Sequence, residues 1–107
     1  MQITVYHTIS SDLAINQDDG VNLYNAIAQF PPTNLVISFA NIKLISTAFL
    51  NESIGKYAQL YPNDIQLLNF EYPADNATLV YKIKDVIENA LMGEEYSLLV
   101  DNALASL

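Results

Sequence analysis

The order of apolar and polar positions along the chain predicts strands that alternate with helices. In residues 2–9 the odd positions, which include Ile3 and His7, would share one face and the even positions the other, which indicates a strand with one buried face. After a turn-rich segment, a helix is expected to begin near Asp18 or Asp19, either of which can cap it, and to end before Pro31. Its apolar positions recur at helical spacing: Leu23, Ile27 and Phe30.

The middle of the chain repeats this order. Residues 35–40 form a nearly continuous apolar run, which is typical of a central strand. A second helix is expected after Ser46 and Thr47, and Pro62 should end it. Residues 65–70 then predict a third strand. The apolar stripe of the second helix is Leu50, Ile54, Tyr57, Ala58 and Tyr61.

The last third of the chain predicts a long helix. Asn76 or Asp75 can cap its start, and Gly93 is expected to end it. Residues 94–107 allow either an edge strand over 96–100 or a short helix, and the apolar spacing favours the helix. The inward positions of the long helix are Leu79, Val80, Ile83, Val86, Ile87, Ala90 and Leu91.

This βαβαβα order with short connections predicts one α/β domain over residues 1–107, with a largely parallel sheet. A chain of 107 residues suits one domain and is too short for two. One hydrophobic core is expected to bury Ile37, Phe39, Ile54, Leu67, Ile83 and Ile87.

The charge balance narrows the classes of function. The chain has twelve Asp and Glu residues and four lysines, which gives a net charge of −8. Such a chain offers little to neutralise a phosphate backbone, so we expect no nucleic-acid partner. The absence of cysteine excludes disulfides, thiolate nucleophiles and zinc sites built on sulfur. With no signal-peptide pattern and no membrane-spanning segment in the sequence, we expect a cytoplasmic protein.

The sequence contains no recognisable set of catalytic residues. His7 is the only histidine, and no nucleophile or metal-ligand pattern accompanies it. The sequence also lacks the glycine-rich phosphate-binding motifs. We therefore expect neither enzymatic activity nor a bound metal or cofactor, and a structural or surface role for His7.

The hydroxyl pair Ser46-Thr47 stands where the predicted central strand gives way to a helix. The first N–H groups of a helix need acceptors, and a serine or threonine at the N-cap supplies one. The same position offers a hydroxyl at the positive end of a helix dipole, where an added phosphate would be tolerated.

The segment NLVISFANIKLISTAFLNESIGKY, residues 34–57, resembles the signature of STAS domains (sulphate transporter and anti-sigma factor antagonist). It is closer still to a STAS-like family of unknown function found in bacteria and their phages. The resemblance implies a small mixed, mostly parallel sheet of about four strands with helices packed against it. The matching positions are Ile37, Ser38, Phe39, Ile42, Ile45, Ser46, Thr47, Phe49, Glu52 and Gly55.

The resemblance also implies a docking module in a regulatory switch. In anti-sigma factor antagonists a kinase phosphorylates a serine of an Asp-Ser-Ser-Gly motif, which falls here on residues 46–49. This chain lacks the Asp and the Gly and has Ala48 at the phosphorylated position. The implied docking surface runs over Ser46, Thr47, Ala48, Asn51, Glu52 and Gly55.

Two functions follow as hypotheses. The first is a non-catalytic interaction module that signals by docking a protein partner, such as an ATPase-type kinase or an anti-sigma-like regulator, through residues 46–55. The second is a small-molecule or nucleotide-binding domain that uses the helix N-terminus at residues 46–48 as an anion site.

Overall fold

The computed structural model describes the backbone of residues 1–74 and 76–105 and the side chains of residues 1–74 and 76–92. In this part of the chain the strands are β1 (Gln2–Thr4), β2 (Leu13–Ala14), β3 (Val36–Ser38), β4 (Leu44–Ile45) and β5 (Asn69–Glu71). The α-helices are α1 (Val5–Ile9), α2 (Gln17–Ala28), α3 (Thr47–Leu50), α4 (Lys56–Leu60) and α5 (Ala77–Ala105). A π-helical turn (Asn51–Gly55) joins α3 to α4, and a 3-10 helix (Ile65–Leu67) precedes β5. We call the continuous helical segment 47–60 the central helix.

The strand pairs are parallel, as expected for an α/β fold. β1, β3 and β5 form a three-stranded sheet in that order, in which Ile37 lies between Ile3 and Phe70. β2 and β4 form a separate two-stranded ladder that sets Leu13 opposite Leu44. The α/β class is confirmed, and the strands divide into three and two.

The hydrophobic core lies between the three-stranded sheet and the helices. The central helix packs against α2 on one side and against α5 on the other. Four of the six predicted core residues are buried, Ile87 is half-buried against the core, and Leu67 is exposed. The four buried residues are Ile37, Phe39, Ile54 and Ile83.

The prediction of one strand over residues 2–9 is wrong beyond Thr4. Residues 5–9 form helix α1, with Val5 buried and the Thr8 hydroxyl donating to the Thr4 carbonyl at 3.0 Å. Val5 and Ile9 lie on one side of either structure, because a spacing of four residues is even and also spans one helical turn. Alternation alone therefore could not separate the two. His7, predicted on the strand face of Ile3, is exposed on α1.

The predicted strand over residues 65–70 also differs. Its first residues form the 3-10 helix, and strand β5 begins only at Asn69. Ile65 and Leu68 are buried at a spacing of three, which turns Leu67 outward with 46% of its surface exposed. This local turn explains why Leu67 does not belong to the core.

Two helix ends differ from their predicted positions. Asn16, and neither Asp18 nor Asp19, is the N-cap of α2, and the two aspartates lie in the first turn, where they favour the helix dipole. Helix α5 does not end at Gly93 but continues to Ala105, so residues 94–105 are helical, as favoured, although as part of α5. Residues 106–107 lie outside the described residues. One glycine inside a helix costs about 1 kcal/mol, which does not stop the helix when the residues on both sides of it favour helix formation.

The start of α5 agrees with the sequence. The Asn76 side-chain carbonyl accepts a hydrogen bond from the Leu79 N–H at 3.3 Å, as an N-cap does. The alternative cap, Asp75, lies outside the described residues.

Candidate functional site

Ser46 caps the central helix and ties it to strand β2. Its backbone is extended (φ −102°, ψ 155°), and its Oγ accepts a hydrogen bond from the Phe49 N–H at 3.0 Å. The same hydroxyl donates to the Ile15 carbonyl at 2.6 Å, and the Ser46 N–H donates to the Ala14 carbonyl at 2.9 Å. The predicted capping role is thus confirmed, and the helix begins at Thr47.

We expect Ser46→Ala to lower the free energy of unfolding by about 1 kcal/mol, within the usual range for loss of an N-cap. The substitution removes both hydrogen bonds of the hydroxyl and no other side-chain atom. Thr47→Ala is the matched control, because Thr47 is exposed and should change stability by less than about 0.5 kcal/mol. Urea unfolding measures the free energy of unfolding of the two variants. Equal values would show that the cap does not contribute to stability.

The predicted docking residues lie at different depths in the structure. Thr47 and Asn51 are exposed, and Ala48 and Glu52 are half-buried beside them. These four residues share one side of the helix because they are one turn apart. Gly55 is buried, since a Cβ there would lie 2.9 Å from Cγ1 of Val86 on α5. The expectation that Gly55 belongs to the exposed surface is therefore wrong.

The π-helical turn lies at the tightest packing of the central helix. A Cβ on Gly20 of α2 would lie 2.6 Å from the Phe49 carbonyl oxygen. The Ser53 hydroxyl is buried and donates to the Phe49 carbonyl at 2.9 Å. α2 and α5 therefore pack closely against the helix that carries this exposed start.

A strip of exposed apolar side chains borders the start of the central helix, and we call it the apolar strip: Leu13, Ile15 and Leu44. Leu13 and Leu44 are opposite each other in the β2–β4 ladder and are 43% and 58% exposed. Ile15 is 42% exposed, and its carbonyl accepts the Ser46 hydroxyl. Exposed apolar groups that adjoin one another mark an interaction surface more often than isolated ones.

The apolar strip was not predicted from the sequence. The only available signal was a leucine that precedes a buried residue in each of two short segments, Leu13-Ala14 and Leu44-Ile45. Because the two segments are thirty-one residues apart, their pairing is visible only in the fold.

The second hypothesis placed an anion at the helix N-terminus. The Ser46 hydroxyl there is already engaged as donor and as acceptor, so it is not free to hold a ligand. Among the described residues, no group of three or more His, Asp or Glu side chains could hold a metal ion.

A separate open cleft of about 1150 Å³ lies beyond the carboxyl ends of β1, β3 and β5. His7, Lys43 and Tyr72 are among its lining residues. Lys43 is paired with Asp12 at 3.3 Å, and burial raises the pKa of the Tyr72 phenol. Ligands often bind at this end of a parallel sheet, but the cleft shares no residue with the apolar strip or with residues 46–55.

Comparison with known protein families matches residues 19–71 to a family described as a STAS-like domain of unknown function (DUF4325). The chain thus contains a STAS-like domain, which confirms the resemblance found over residues 34–57. The matched segment runs from α2 to β5 and includes the whole central helix. No curated protein and no solved structure matches the chain.

The helices of the described part of the chain were also compared with the length and hydropathy that a bilayer requires. None of them is both long and apolar enough to cross a membrane.

Proposed function

We propose that this chain is a non-catalytic regulatory module that docks a protein partner at the start of the central helix. The docking surface combines the apolar strip with Ser46, Thr47, Ala48, Asn51 and Glu52. A single observation carries the proposal: an exposed apolar strip adjoins the capped start of a closely packed helix. The STAS-like domain supports a partner of the kind that anti-sigma factor antagonists bind, an ATPase-type kinase or an anti-sigma-like regulator.

The composition of this surface suits a protein rather than a small molecule. Protein interfaces have an apolar centre and a polar rim, and the apolar strip with Thr47 and Asn51 offers both. The open cleft does not include any of these residues, and small ligands prefer concave sites that bury most of their area.

The test uses two variants of the docking surface, Leu44→Lys and Thr47→Asp. Leu44→Lys places a charge in the apolar strip, and Thr47→Asp adds a negative charge where the helix dipole favours it. Both residues are exposed, so the melting temperature should hardly change. Each variant should weaken partner binding at least about tenfold, or 1.4 kcal/mol.

Leu60→Lys is the matched control, because Leu60 is 53% exposed at the far end of the same helix. It lies thirteen residues from Thr47, roughly 20 Å along the helix. The partner is captured from the native host on the unmodified chain, identified, and titrated calorimetrically against all four proteins. Leu60→Lys should bind as the unmodified chain does.

Two results would contradict the proposal. If Leu44→Lys and Thr47→Asp fold and bind the captured partner with unchanged affinity, the docking surface lies elsewhere. A ligand at 100 times its dissociation constant stabilises a protein by about 2.7 kcal/mol. If nucleotides raise the melting temperature by a corresponding amount, the small-molecule hypothesis is favoured instead.

A further inference from the structure

Strand β5 is an edge of the three-stranded sheet, because in the described part of the chain it pairs with β3 alone. The Asn69 N–H donates to the Leu35 carbonyl at 3.0 Å. The Glu71 carbonyl accepts a hydrogen bond from the Phe39 N–H at 2.8 Å. Alternate residues of a strand bond to the same neighbour, so the N–H and the carbonyl of Phe70 point away from β3. β5 therefore presents a donor and an acceptor along its open side.

An apolar groove adjoins this open side of β5. It holds about 310 Å³ between the 3-10 helix, β5 and α5, and Gln66 is its one polar residue among the described residues that line it. In a ladder, residues opposite each other turn their side chains to the same face of the sheet. The side chain of a residue paired with Phe70 would therefore lie on the side of the groove. The apolar groove is lined by Pro62, Ile65, Leu68, Phe70, Ile87 and Leu91.

The charges on the elements around the apolar groove are mainly negative. Residues 62–71 and the described side chains of α5, residues 77–92, include four carboxylates and two lysines. Of the lysines, Lys82 donates to the Ile45 carbonyl at 3.2 Å, and Lys84 is exposed. This excess of two negative charges, on a chain of net charge −8, favours a cationic partner over an anionic one. The four carboxylates are Asp64, Glu71, Asp85 and Glu88.

We propose that the open side of β5 and the apolar groove form a second docking site, which binds an extended basic segment of a partner protein by strand addition. The segment hydrogen-bonds to the backbone of Phe70, places an apolar side chain in the groove and offers lysine or arginine to the carboxylates. In this mode of recognition the main chain provides affinity and alternate side chains provide specificity. A second copy of this chain is a poorer occupant, because it would bring another Glu71 and another net charge of −8.

The site is tested with a synthetic peptide, Lys-Val-Thr-Phe-Thr-Val-Lys with both ends blocked, titrated into the isotope-labelled full chain. The Phe70 amide signal should shift until the site is saturated, because its N–H gains a partner, while the signals of Thr47 and Asn51 stay unchanged. A peptide with glutamate in place of both lysines should bind at least about tenfold more weakly. The same loss is expected for the peptide N-methylated on its three central residues, which cannot donate to the Phe70 carbonyl.

Two variants of the chain test the same contacts from the protein side. Leu91→Lys places a cation in the groove and should weaken peptide binding at least about tenfold. Glu71→Gln removes one carboxylate and should weaken binding less, while making it less sensitive to salt. Both residues are exposed, so the melting temperature should hardly change. Tyr81→Lys is the matched control, because it adds the same charge to the same helix roughly 15 Å from Leu91.

Several results would overturn the proposal. The site is wrongly placed if the peptide leaves the Phe70 signal unmoved, or if Leu91→Lys binds the peptide as the unmodified chain does. Strand addition of a basic segment is wrong if the glutamate peptide or the N-methylated peptide binds equally well, or if Tyr81→Lys weakens binding as much as Leu91→Lys. A Phe70 signal that moves when the chain alone is diluted would show that a second copy occupies the edge instead.

Discussion

Replacing Phe39 by alanine should lower the free energy of unfolding by about 3 to 5 kcal/mol. Phe39 is fully buried directly after strand β3, and its ring centroid lies 6.5 Å from that of Phe70 on β5. Its N–H donates to the Glu71 carbonyl at 2.8 Å, so the backbone around it is held and cannot easily collapse into the space left by the ring. Small domains have only about 5 to 15 kcal/mol of stability in total.

The measurement is thermal and urea unfolding followed by circular dichroism. A loss of this size should lower the melting temperature by more than about 10 °C in a domain near 100 residues. Tyr81→Ala is the matched control, because it removes an aromatic ring that is 68% exposed. If Phe39→Ala melts within a degree or two of the unmodified chain, the core does not depend on this ring.

Replacing Gly20 by alanine should destabilise the chain, although helix propensity predicts the opposite. In an open helix the change favours alanine by about 0.5 to 1 kcal/mol. Here the new Cβ would lie 2.6 Å from the Phe49 carbonyl oxygen and 2.9 Å from Cβ of Glu52. The first of these is backbone and cannot move aside, so α2 must shift from the central helix. Overpacking of this kind typically costs about 1 to 3 kcal/mol.

Asn25→Ala is the control for Gly20→Ala, because Asn25 is exposed on the same helix. It should leave stability unchanged or slightly raised, as helix propensity predicts. Urea unfolding of the two variants therefore separates packing from propensity by the sign of the effect. A Gly20→Ala variant that is more stable than the unmodified chain would show that α2 is not closely packed on the central helix.

Because the central helix also carries the proposed docking surface, Gly20→Ala bears on function as well. A shift of α2 would move the Phe49 backbone, which accepts the Ser53 hydroxyl and follows Ser46 by three residues. We expect partner binding to weaken in this variant together with stability, whereas Leu44→Lys should weaken binding alone. Comparing stability and binding in the two variants therefore distinguishes residues that pack beneath the docking surface from residues that belong to it.

Features that depend on local interactions were predictable from the sequence. The Ser46 cap needs only a hydroxyl at a strand-to-helix junction, and the structure has that bond. Four of the five positions predicted for the stripe of the central helix are buried: Leu50, Ile54, Tyr57 and Ala58. The fifth, Tyr61, lies just beyond the end of the helix and is 42% exposed. The family resemblance over residues 34–57 rests on the same stretch and is confirmed by the match over 19–71.

Short elements were less predictable because two periods can fit the same few residues. Val5 and Ile9 satisfy both a strand and a helix, and only the packing of α1 against α2 selected the helix. Near residue 67 a single turn reversed the exposure of one leucine. The free-energy difference between strand and helix is small in such short segments, so contacts with distant residues decide which one forms.

The sequence by itself thus determined the α/β class, the presence of the long helices and the capping role of Ser46, because each depends on residues within a few positions of one another. Only the tertiary structure decided that Gly55 is buried against Val86 and that Leu13 and Leu44 form one exposed strip. Both depend on elements far apart in the chain meeting in space. Burial is a property of the neighbours that a residue acquires on folding, and those neighbours are not adjacent to it in the sequence.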